Sequence, residues 1–139
     1  MIIKNFICNQ IMTTGNKTTS EKLFLKSLKI TQKYETKNSK DIFKIGLIKS
    51  SPILFVKNIK RKRKRSVEFP FLLSVPNRVF YGVKFILQNT KHNSSNRFHK
   101  KFHEEFLLSS KQLSRSVKKK QSIHQESFLK KKFSNYRWF

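Results

Sequence analysis

Apolar residues recur at helical spacing along most of this chain, interrupted once by a stretch in which they run together and alternate. Phe24, Leu25 and Leu28 follow Thr18-Thr19-Ser20-Glu21, where a hydroxyl is succeeded within three residues by a glutamate able to close a capping box. That pattern predicts a helix from about Thr19 to Lys33, with Gly15 and Asn16 forming the loop before it. The backbone amides of such a loop and helix start can meet a phosphate, or the loop can be an ordinary solvated turn. Asn38 or Ser39 can cap a second helix carrying Ile42, Phe43, Ile45, Leu47 and Ile48. Ser50-Ser51-Pro52 ends it, because the residue before a proline is pushed out of the helical region.

The period then changes. Pro52 to Ile59 reads as a strand and Val67 to Leu73 as its partner, which places a hairpin at about 53–73. After Pro76-Asn77-Arg78 the helical period returns in Val79, Phe80, Val83, Ile86 and Leu87, the strongest amphipathic pattern in the sequence. Asn89 to Asn96 has the composition of a linker. Phe98, Phe102 and Phe106, four apart, form the core-facing stripe of a helix continuing to about Leu113, and a last helix runs from Ser116 to Ser134. The layout is mainly α, with helices on either side of one hairpin and no internal repeat.

Charge changes the picture from fold to partner. The 139 residues hold 32 Lys and Arg against 7 Asp and Glu, a formal net charge of +25 spread over the whole length. A compact body so charged repels itself unless a polyanion neutralises it. Each phosphate paired with a cation releases condensed counterions, so nucleic acid is the first partner to consider. Fourteen Phe and 37% hydrophobic content exceed what a disordered basic tail carries, and the length suits one domain. Cys8 is the only cysteine, so no intrachain disulfide can form and a reducing compartment is expected. No apolar run approaches the roughly 18 residues of a membrane span.

Met1 to Met12 contains no Arg, unlike an Arg-rich organelle presequence, and its apolar run is too short for a secretory signal. The chain lacks Ala and is rich in Lys, Ile, Asn and Phe, whose codons are AT-rich. That bias suits an AT-rich genome such as an organelle's own.

The densest charge is the run Lys60, Arg61, Lys62, Arg63, Lys64, Arg65. At a hairpin tip its side chains would alternate faces along a groove of nucleic acid. A nuclear localisation signal or a solvated loop are the other readings, but such signals usually sit in flexible tails rather than between two apolar strands. Catalytic chemistry finds little support. His99 and His103 are spaced for two ligands on one helical face, yet only Glu104 sits alongside to extend the set, and no metal site is expected. Cys8 has no neighbouring base, the carboxylates are scattered, and the three glycines are isolated, so neither acid–base work nor a phosphate loop is indicated. The chain reads as a non-enzyme with no cofactor and no small-molecule substrate.

The sequence from Arg115-Ser116-Val117-Lys118-Lys119-Lys120 through His124 to Tyr136-Arg137-Trp138 resembles the C-terminal helix of the small-subunit ribosomal protein seven family, in order and spacing. Thr14 to Lys22 resembles that family's Gly-Lys-Lys-Ser turn leading into a helix. Pro52 to Val56 is similar to the lead-in to its β-hairpin. Val67 to Arg78, with Pro70 and Pro76, resembles the return strand and the start of the next helix. The resemblance covers the chain from about Met12.

It implies a helical bundle with one protruding β-hairpin arm: a short N-terminal arm over 1–13 and a single domain over 14–139. It also implies binding to the 3′ major domain of small-subunit rRNA, organisation of the subunit head beside neighbouring head proteins, and proximity to exit-site tRNA and the mRNA exit path. The residues expected to face rRNA are Asn16, Lys17, Lys22, Lys57, the Lys60 to Arg65 run, Arg78, Lys84, Arg115, Lys118, Lys119 and Lys120. Lys62, Arg63, Arg137 and Trp138 are expected near tRNA or mRNA, with Trp138 as helix-end core the other reading. Phosphate contacts of this kind orient the protein, and recognition rests on RNA shape.

Three departures stand out: cations replace the usual glycines near the hairpin tip, the N-terminal arm is shortened to about a dozen residues, and Ser, Lys or Phe occupy small Ala positions. With the Ala-free composition they point to a mitochondrial and organelle-encoded version, ahead of a plastid one. The alternatives are a free-standing basic nucleic-acid-binding protein, which would need a recognition helix with a polar reading face, and a cationic membrane-surface protein using its Phe-rich helices.

Overall fold

The computed structural model describes residues 2–35, 38–60, 66–92 and 97–135. The first element is α1 (Ile2–Ile11), closed by the Met12 N–H donating to the Cys8 carbonyl. Ile7 and Cys8 on this helix are almost wholly buried in the core. The N-terminal arm expected over 1–13 is therefore a packed helix. Ile3, Ile7 and Ile11 recur every four residues, the spacing of one helical face.

The second helix, α2 (Lys17–Tyr34), begins two residues before its predicted start. Its cap is Asn16 rather than a hydroxyl, with Oδ1 accepting from the Thr19 N–H at 3.3 Å and the Thr18 hydroxyl at 2.8 Å. Gly15 before it has φ +80°, the left-handed backbone that glycine adopts without strain. Asn38 caps α3 (Ser39–Ser50) by accepting from the Lys40 N–H, and Pro52 follows the helix as expected.

Strands β1 (Leu54–Ile59) and β2 (Val67–Leu72) pair antiparallel, from Leu54 opposite Leu72 to Ile59 opposite Val67. Pro70 is tolerated because a two-stranded sheet has only edge strands. Next comes α4 (Val75–His92), which runs into the stretch read as a linker and buries Thr90 there.

The Phe-striped helix is α5 (Phe98–Ser110), three residues shorter than predicted. It ends with Leu113 N–H bonded to the Leu108 carbonyl and Gln112 at φ 63°, a left-handed C-terminal cap. The last helix, α6 (Arg115–Leu129), stops five residues short of the expected Ser134 and gives way to a 3₁₀ turn over Lys131–Phe133.

The core is aromatic. Phe43 stacks on Phe106 with centroids 4.3 Å apart, Phe102 meets Phe106 edge-on at 4.9 Å, and Phe24 meets Phe43 edge-on at 5.7 Å. Val83, Ile86, Leu87 and Leu47 fill the remaining volume. Helices α3 and α5 approach closely because Gly46 lacks a side chain. A Cβ there would lie 3.0 Å from the Phe106 carbonyl oxygen, and the Ser109 hydroxyl donates to the Gly46 carbonyl across the gap.

Around this centre α2 packs on α1, α3 and α5, whereas α6 packs on α3, α4, α5 and both strands. Among the described residues α2 touches neither α4 nor α6, so the two helices lie on different sides of the bundle. No described helix is long and apolar enough to cross a membrane.

Candidate nucleic-acid interface

Helix α2 sorts its residues by face. Phe24, Ser27 and Thr31 are buried, and Lys22, Lys26, Lys29 and Lys33 are exposed. Steps of four, three and four residues put those four lysines on one stripe. The start of α5 extends it: the His99 imidazole has its pKa lowered by burial first, then by the charges of Lys26, Arg97 and Lys100. These three cations, one on α2 and two at the start of α5, thus lie near enough to act on one ring. Of the predicted residues, Lys22 lies on this stripe and Lys17 is exposed at the head of the helix. Asn16 works as the helix cap beside them.

A second cationic region lies on the other side. Lys57 and Lys60 are exposed at the outer end of β1, Lys84 on α4, and Arg115 and Lys118 on α6. Arg61, Lys62, Arg63, Lys64, Arg65, Arg137 and Trp138 fall outside the described residues. Arg78 uses its Nε to donate to the Leu73 carbonyl at 2.8 Å, tying the end of the hairpin to the start of α4.

The triple Lys118-Lys119-Lys120 does not act as one comb. Lys118 points out, whereas Lys119 Nζ donates to Gln88 Oε1 at 2.8 Å and lies 5.0 Å from the Phe85 ring centre. Lys120 is half-buried, and its Nζ donates to the Lys49 carbonyl in the last turn of α3, where a cation also suits the helix dipole. Burial pushes the Lys120 pKa down, and the Lys49 charge adds to that.

Buried polar groups hold these surfaces in place. His103 shares a 2.8 Å hydrogen bond with the Thr31 hydroxyl, which turns it inward and away from any ligand pairing with His99. Its pKa is lowered by burial, against the opposing pull of Glu104 and Glu35. The His124 Nε2 accepts from the Ile53 N–H at 3.0 Å, fastening α6 to the base of the hairpin. Glu105 is buried and accepts from the hydroxyls of Ser114 and Ser116 at 2.6 and 3.0 Å, fixing the turn from α5 into α6. The Lys26, Lys29 and Lys33 stripe with Arg97 and Lys100 was missing from the predicted set, although the complementary spacing of lysines and apolar residues was there to find it.

Exposed lysines thus lie on different sides of the bundle, on α2 and on β1, α4 and α6. The family described as ribosomal protein S7p/S5e matches residues 2–128, nearly the whole chain. The chain belongs to that family. The match takes in α1, which the resemblance from Met12 onward left out, and stops before the Tyr136-Arg137-Trp138 close.

The chain is 31% identical to the Schizosaccharomyces pombe small ribosomal subunit protein uS7m over 118 residues, which cover 85% of this chain and 45% of that protein. It therefore spans under half the length of that relative. The small ribosomal subunit protein uS7 of Heliobacterium modesticaldum is 25% identical over 95% of this chain and 84% of its own length. That of Thermomicrobium roseum is 23% identical over 99% and 86%. S7p/S5e proteins are structural constituents of the small ribosomal subunit, not enzymes.

Proposed function

We propose that this chain is the S7p/S5e protein of a mitochondrial small ribosomal subunit, where it binds the 3′ major domain of the rRNA and organises the head. The observation that carries the rRNA reading is the pair of cationic surfaces on different sides of the bundle, one on α2 and the start of α5, the other on the hairpin, α4 and α6. Two such faces can neutralise phosphates on two RNA segments at once and hold their relative orientation. The hairpin and C-terminal region then lie near exit-site tRNA and outgoing mRNA, with head proteins as neighbours. The similarity to a mitochondrial uS7m and the Ala-free composition support a mitoribosomal location and an organelle-encoded gene.

Sedimentation of organelle lysate, with mass spectrometry of the gradient fractions, tests the reading. The protein is expected with the mitochondrial small subunit and to remain there through a high-salt wash. Recovery in light fractions, with membranes, or with plastid ribosomes would overturn it.

A further inference from the structure

Between β1, α4 and α6 lies a cavity of about 240 Å³ with Lys84 and Lys119 on its rim. Tyr81, Phe85 and Gln88 reach it from one face of α4, and Lys119, Ile123 and Glu126 from one face of α6. Phe55 enters from β1 and stacks on Tyr81 with centroids 4.5 Å apart and planes inclined by 24°. Both rings are only partly buried, so the stack is open to be extended by another flat ring.

The rim of the cavity carries a carboxylate. Glu126 is an exposed carboxylate in a chain of net charge +25. Glu21, Asp41 and Glu68 pair with Lys4, Lys44 and Lys130, and Glu105 is held by hydroxyls. Among the described residues the Glu126 side chain, like those of Glu35 and Glu104, makes no ion pair or hydrogen bond, and of these three it is the one that lines the cavity. A carboxylate on an RNA-facing rim repels phosphate, but it accepts from the N–H groups of a base. Gln88 gives its Oε1 to Lys119, which leaves its amide NH₂ as a donor. Lys84 and Lys119 supply positive charge at the mouth.

We propose that this cavity captures a single unpaired guanine of the bound RNA, stacked on the Phe55–Tyr81 pair. Guanine's Watson–Crick edge presents two adjacent donors, N1–H and the N2 amine, to Glu126 and one acceptor, O6, to Gln88. Adenine and cytosine present a ring acceptor where guanine presents N1–H, and uracil flanks its one donor with two acceptors. Lys84 and Lys119 meet the phosphates on either side. The proposal rests on the RNA-binding reading and adds base selectivity to it.

The test is fluorescence anisotropy of the full chain with oligouridylates about nine nucleotides long, within the usual span of a single-strand site. One probe carries a central guanosine, one a central adenosine, and one is all uridine. The guanosine probe is expected to bind about tenfold tighter than either other, in the range that stacking and a paired edge contribute. Glu126→Gln, at an exposed position, is expected to abolish the preference for guanosine over adenosine while all-uridine binding persists. Phe55→Leu is expected to weaken the guanosine probe about tenfold by removing the stacking plane. Equal affinities for guanosine and adenosine, or a preference that survives Glu126→Gln, would overturn the pocket and leave RNA binding standing. Failure to bind any of the three at low salt would overturn both.

Discussion

Neutralising the α2 stripe tests one of the two proposed RNA-facing surfaces without touching the fold. In Lys22→Gln/Lys26→Gln/Lys29→Gln/Lys33→Gln all four substituted side chains are exposed and the buried residues of the helix are unchanged. Such surface changes usually alter stability by no more than about 0.5 kcal/mol each. Spaced over eleven residues of helix, the four ammonium groups span about 16 Å at 1.5 Å per residue, long enough to follow several phosphates. If each releases counterions from structured RNA, the slope of log affinity against log salt falls by about 0.7 to 0.9 per lysine. The sum is a loss of about 3 in slope, and between 50 and 200 mM salt the wild type should lose about 10²-fold more affinity than the variant. The assay is filter binding to a transcript of the small-subunit 3′ major domain at several salt concentrations, with circular dichroism confirming unchanged helicity. A slope unchanged within error would refute the assignment of α2 as an RNA face.

Changing Lys60 to Arg65 to Gln is expected to weaken binding to the same transcript and flatten its salt dependence again, independently of the α2 variant; slopes that do not add would mean that one run does not meet RNA. Gly82→Ala is expected to destabilise the fold by about 1–2 kcal/mol, read from the urea midpoint, because overpacking and a displaced hydrogen bond outweigh the roughly 1 kcal/mol of helix propensity gained. The new Cβ would sit 2.5 Å from the Ser51 hydroxyl, itself held by the Leu47 carbonyl, and 3.2 Å from the Ser51 Cα. His103 and His124 have folded pKa values lowered, in both cases by burial first. Unfolded histidines titrate near about 6.5, so below that pH the unfolded chain binds more protons, and stability present above it is lost as pH falls toward the lowered values. Thermal melts from pH 8 to 5 should show this loss, and His103→Asn should reduce it; a stability constant across that range would contradict the burial of both rings.

What the sequence made legible follows from which signals are local. The α4 pattern of Val79, Val83, Ile86 and Leu87 and the Phe98, Phe102, Phe106 stripe each declare a helix and its buried face within a few turns. The strands announced themselves through Pro52 and the loss of helical period. Helix ends were harder: Gln112 adopts the left-handed cap conformation that a glycine would have advertised, so α5 was read too long. Nor do neighbours in sequence reveal which of Lys118, Lys119 and Lys120 faces inward. That depends on where the Lys49 carbonyl and Gln88 lie, 71 and 31 residues away. The partner of His124 is equally distant in sequence, its donor being the backbone of Ile53.

The attachment of the hairpin to α6 has a mechanical consequence. The backbone of Ile53 is bonded to His124, Lys130 reaches Glu68 on β2, and Phe69 packs edge-on against Phe133. These three links bind both strands to the helix and its terminal turn, and α6 is in turn seated on α4 and α3. The paired strands are thus held along their length, from Ile53 at the base to Glu68 beside the outermost pair, rather than hinged like a flap on a pivot. A load on the paired strands would arrive as torque on α6 and pass into the bundle, so the strands and the C-terminal helix should shift as one body.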